Sequence, residues 1–99
     1  GGLFIAGSSI SLTNAGITET MLYAVPDGAV SLYYDNSVKF ETTSYGAAVT
    51  GGINFSGDSL VQDNVSIFFG AGNDLGIKHN GTNSFIDNAT GDIYFRTEP

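Results

Sequence analysis

Three residue groups in this chain are of types that could do chemistry: one imidazole, a set of carboxylates and a glycine-rich run. His79 is the sole histidine of the 99 residues and there is no cysteine, so one chain holds no multi-histidine, thiolate or disulfide site. His79 closes an alternating stretch in line with Leu75 and Ile77. That placement suits a ring packed along a strand better than a proton-transfer base, which needs a nucleophile or acid positioned beside it. If three chains met on an axis, three copies of His79 would meet there too.

Asp35, Asp58, Asp63, Asp74, Asp87 and Asp92 all stand at or beside turn signals. An aspartate there accepts a backbone N–H, which accounts for its presence without catalysis. Glycoside cleavage would need two carboxyls at a set separation in a cleft, and no spacing along the chain supplies that pair. No Asp-x-Asp-x-Asp-Gly loop is present to hold calcium. Gly70-Ala71-Gly72 lacks the lysine and following helix of a phosphate cradle and reads as a turn. The expectation is a protein that is not an enzyme, with no metal and no cofactor.

Charge narrows the partners. Ten acidic residues against three basic ones give a formal charge of -7, with no cationic stripe to engage nucleic acid or an anionic membrane. No apolar run is long enough to span a bilayer, and no basic stretch leads into an apolar one as in a signal peptide. A short chain without disulfide or thiolate staples must draw its stability from a conventional core or from partner chains.

The elements that must position these residues are strands. Val30, Leu32 and Tyr34 alternate with Ser31 and Tyr33; Val65, Ile67 and Phe69 alternate with Ser66 and Phe68; Leu75, Ile77 and His79 alternate with Gly76 and Lys78. Period two puts each trio on one face of a strand. Further strands are expected at residues 3–6, 9–13, 21–24, 38–41, 47–50, 52–55, 83–86 and 92–96. Turn signals separate them, of which Asn80-Gly81 is the strongest because both residues tolerate the positive φ of a type I′ turn. The result is roughly ten short strands in an all-β chain with Gly/Asn-rich turns.

Sliding the sequence on itself by 45 positions aligns Val30 with Leu75, Leu32 with Ile77, Tyr34 with His79, Asp35 with Asn80, Phe40 with Phe85 and Gly46 with Gly91. The recurrence divides the chain into an N-terminal segment, 1–27, a first repeat, 28–56, and a second, 57–99, all one module. Repeats of this kind bury each apolar face against a neighbouring unit or against another chain. A single-chain sandwich or barrel remains open at this point. Three chains winding about one axis fit the very short strands better, because they close the exposed edges.

Residues 30–43, VSLYYDNSVKFETT, and residues 67–86, IFFGAGNDLGIKHNGTNSFI, resemble repeats in tail fibres and tail-fibre-like structural proteins of bacteriophages, notably those infecting marine bacteria. The second stretch carries the more specific pattern: Phe69-Gly70, Asp74-Leu75, Ile77, His79, then Asn80-Gly81-Thr82-Asn83-Ser84 and Phe85. Thr90 to Arg96 is similar to the end of such a unit. Residues 28–98 carry the likeness, and the first 27 match only loosely.

The resemblance implies a virion fibre segment: an intertwined homotrimeric β-prism or triple β-helix-like structure, joined to other tail-fibre segments. It would act as a shaft or spacer supporting host attachment. Tyr34, His79, Phe40, Phe85, Ile67, Phe69, Leu75 and Ile77 are the candidates for the core or the axis. The alternative is a receptor- or glycan-binding module in the distal fibre. For that reading Tyr33, Phe68 and Tyr94, expected to face outward, are the rings to stack on host sugars. Gly76 stands where bulkier residues are usual in the family and is expected to weaken its strand.

Overall fold

The computed structural model describes residues 1–98 and shows an all-β chain of eight strands in two open antiparallel sheets. The chain divides into two compact units, Gly1–Asn54 and Phe55–Pro99, each holding one sheet. The first unit thus takes in residues 1–27 together with residues 28–54 of the first repeat, whose last two residues fall in the second unit.

In the first unit β1 (Ile10–Thr13), β2 (Thr20–Ala24), β3 (Val30–Tyr34), β4 (Ser37–Thr43) and β5 (Gly46–Val49) follow one another as a meander. Each link has a local chemical cause. Between β1 and β2, Asn14 Oδ1 accepts the N–H groups of Thr18 (2.9 Å) and Glu19 (3.0 Å), while Asn14 Nδ2 reaches Thr18 Oγ1 at 2.8 Å. Asp35 and Asn36 join β3 to β4 with φ of 48° and 63°, the two positive values of a type I′ hairpin. Asn36 also reaches back to the start of β2, accepting the Thr20 N–H at 3.0 Å and donating to the Thr18 carbonyl at 3.3 Å.

In the second unit β6 (Ile67–Phe69), β7 (Leu75–His79) and β8 (Ser84–Asn88) form a three-stranded meander. Its strands repeat those of the first unit. Leu22 opposite Leu32 becomes Ile67 opposite Ile77, and Ala24 opposite Val30 becomes Phe69 opposite Leu75, each shifted by 45 residues. The recurrence in the sequence is therefore a recurrence of β2-β3-β4 as β6-β7-β8.

The second hairpin is not a copy of the first. His79 pairs with Ser84 across the loop of residues 80–83, whereas Tyr34 pairs with Ser37 across two residues. Asn80 does not adopt the positive φ expected of it; its Oδ1 instead accepts the N–H groups of Thr82 (2.9 Å) and Asn83 (2.7 Å). The type I′ turn sits at Asp35-Asn36 and a wider, asparagine-capped loop sits at Asn80-Gly81.

Residues 3–6, 52–55 and 92–96, expected as strands, join no sheet. Alternation of side chains makes a segment suited to a strand, but a ladder exists only where a neighbour offers N–H and C=O groups. Among the described residues these three segments have no such neighbour.

Among the described residues no hydrophobic side chain is buried, and the buried residues are Ser31 (7% exposed) and Gly76. A chain of this length ordinarily buries the inward face of each sheet. Here both apolar faces stay half-exposed.

Candidate functional site

Register determines which side chains share a face. In the first sheet Leu12, Leu22, Leu32, Phe40 and Val49 stand directly opposite one another across all five strands, and Ile10, Ala24 and Val30 form a second row beside them. The other face carries Ser11, Tyr23, Ser31, Glu41 and Ala48. One face of this sheet is thus wholly apolar along its central rows, and the other is mixed and bears the charge of Glu41.

The second sheet has the same division. Ile67, Ile77 and Ile86 form one row, Phe69, Leu75 and Asn88 another, and His79 lies opposite Ser84. Phe68, Gly76 and Asp87 form a row of the reverse face, with Lys78 opposite Phe85 beside it. Of the axial or core candidates, Ile67, Phe69, Leu75, Ile77 and His79 therefore share one face. Phe85 lies on the opposite face, where the Lys78 ammonium sits 5.7 Å from its ring centre.

The reason for Phe85's placement is a single residue of register. The loop after His79 is two residues longer than the one after Tyr34, which leaves facing unchanged. However, β4 carries an extra residue at the bulge opposite the Leu32/Tyr33 step, and β8 lacks it. That one residue turns Phe40 to the apolar face and leaves Phe85 on the other. Ile86 occupies the place in the apolar row that Phe40 holds in the first sheet. Ile86 was not among the sequence candidates, since the β-bulge that separates the two repeats leaves no mark in the alignment. Tyr34, another candidate, is 75% exposed at the end of β3.

The rings considered for sugar contact each have a local partner. Tyr33 is half-buried opposite Val38. Phe68 lies over Gly76, so close that a Cβ added there would stand 3.1 Å from the ring. Gly76 leaves room for that ring, which a Cβ there would push back by a few tenths of an ångström. Tyr94 stands outside the sheets, its hydroxyl 3.5 Å from Asp92 Oδ2 and its ring 5.8 Å from the Arg96 guanidinium.

His79 Nδ1 lies 2.9 Å from Ser84 Oγ, a cross-strand pair at the exposed end of β7. No carboxylate is hydrogen-bonded to the ring among the described residues, so the pair lacks the third group that orients a catalytic histidine. No group of three or more His, Cys, Asp or Glu residues able to hold a metal is present among the described residues. A shallow groove of about 380 Å³ runs along the apolar face of the second sheet, lined by Leu60, Val61, Val65, Ile67, Ile77 and His79 among others. Next to Val65, the Asn64 N–H donates to the His79 carbonyl at 2.7 Å.

The chemistry such an arrangement supports is association through apolar surface. Comparison with known proteins found no match: no family model fits the chain, and neither a curated protein nor a solved structure matches it.

Proposed function

We propose that this chain is a structural segment, a shaft or spacer, of a bacteriophage tail fibre in the virion, and that it works as a homotrimer supporting host attachment. The observation that carries the reading is surface left uncovered. A folded monomer of 10.3 kDa is expected to expose roughly 5,400 Å² by the scaling of area with mass. This chain exposes 8521 Å².

The excess of roughly 3,100 Å² is several times the ~800 Å² that each partner commits to an interface of standard size. In a ring of three, every chain has two neighbours, and intertwined strands bury more per chain than docked globules do. That no apolar side chain is buried among the described residues supports the same reading, since a core shared between chains is empty in any one of them. The phage assignment rests on the motif pattern at residues 67–86, now seen as the β6–β7–β8 meander.

Immunogold electron microscopy tests the assignment, using antibodies raised against this chain on particles of a phage that encodes it. Gold along the tail fibres is the expected result. Gold confined to the capsid, or none on the particle, contradicts it.

A further inference from the structure

We infer that the apolar face of the five-stranded sheet, centred on Leu32, is the surface through which copies of this chain meet. The inference rests on the homo-oligomeric part of the function proposed above and names its contact surface.

Charge selects the face. Copies carrying a net charge of -7 repel one another, so they can associate closely only through surface free of charge. The rows Leu12-Leu22-Leu32-Phe40-Val49 and Ile10-Ala24-Val30 contain no ionisable residue. Glu41 projects from the reverse face, level with Ser31. The second sheet follows the same rule, with Lys78 and Asp87 on the face opposite Ile67, Ile77 and Ile86. In the second sheet the paired charges lie on one side, and in the first Glu41 does likewise, while Lys39 stands at the β4 bulge beside Phe40, outside the paired rows.

Exposure points the same way. Leu32 sits at the centre of the middle strand, the place best shielded in an ordinary sheet protein, and is 43% exposed. Its neighbour Ser31, on the reverse face, is buried. A lone chain therefore shields the polar side of β3 and leaves the apolar side open. A second copy supplies the matching surface by symmetry, because an identical face is equally apolar and equally uncharged.

The chain lacks cysteine, so a single introduced thiol reports on one position without background. In the full-length chain, Leu32→Cys and Leu22→Cys test the apolar face, and Ser11→Cys tests the reverse face. Maleimide alkylation of each is timed on the native protein and in denaturant, with the mass of every variant measured by sedimentation.

The expected result is an oligomer in which both apolar-face thiols react at least about tenfold more slowly than the Ser11 position, with the difference lost in denaturant. An oligomer in which all three react alike overturns the proposed face and leaves the oligomeric reading standing. A monomer with freely reacting thiols overturns both. A monomer with protected thiols shows the face covered from within the chain and overturns the inference as well.

Discussion

Gly70→Ala probes the tightest turn of the second unit. Gly70 opens the link from β6 to β7 with φ of 90°, and its carbonyl accepts the Asn73 N–H at 3.1 Å. An alanine forced into positive φ loses roughly 1–2 kcal/mol for backbone conformation alone. Its Cβ would also meet the Asp74 side chain, falling against the carboxylate and 3.2 Å from the Asp74 Cβ. The carboxylate end can rotate away, but the Asp74 backbone is held by the Ala89 N–H, which donates to its carbonyl at 2.7 Å. That residual crowding adds about 1 kcal/mol.

The total of about 2–3 kcal/mol corresponds to a fall in Tm of roughly 8–24 °C for a domain of this size. Thermal unfolding followed by circular dichroism measures it, with variant and parent at equal chain concentration because association shifts the midpoint. Gly72→Ala is the control. Its Cβ would approach only the mobile Asp74 Oδ1, at 3.1 Å, and its φ lies outside the positive range, so its loss is expected below about 0.5 kcal/mol. A Gly70→Ala melt within about 2 °C of the parent, or an equal fall for Gly72→Ala, would refute the reasoning.

Ile17 is a β-branched residue at φ 53° with its side chain in solvent, so Ile17→Asn is expected to stabilise by up to about 1 kcal/mol and to raise the urea midpoint. A lowered midpoint contradicts that expectation. Asn36 supplies both a positive φ and two side-chain hydrogen bonds. Asn36→Gly should therefore lose about 1 kcal/mol and Asn36→Ala about 2, and equal losses in urea titration would count against the separation. Phe68→Ala uncovers Gly76, so its amide should exchange hydrogen faster than in the parent while amides of the first sheet keep their rates. Unchanged exchange at Gly76 would show that the ring does not shield it.

The sequence revealed the strands wherever alternation and a pairing neighbour coincided. β3 and β7 fall on residues 30–34 and 75–79 as alternation indicates, and the 45-residue recurrence places them in matching positions. Alternation says nothing of whether a partner exists, which is why residues 3–6, 52–55 and 92–96 read as strands yet remain unpaired. Register was less legible still. The gapless alignment sets Phe40 against Phe85, but β4 has a bulge opposite the Leu32/Tyr33 step and β8 has none, so Ile86 takes the place in the apolar row.

At Gly76 the residue type suggested weakness, and only the neighbouring strand reveals the Phe68 ring above it. Tyr33, Phe68 and Tyr94 alternate alike in sequence, yet each makes a different local contact. Surface chemistry of that kind depends on tertiary neighbours rather than on spacing. The apolar rows, by contrast, were visible in part from Val30, Leu32, Ile67 and Ile77, because period two is a property of the backbone itself.

The central claim, that the core of this protein is shared between chains, is tested most directly by sedimentation equilibrium of the full chain at micromolar concentration. A species of three times the 10.3 kDa chain mass is the predicted result, with the β-sheet circular dichroism signal present in that species. A folded, cooperatively melting species at the mass of one chain would contradict it.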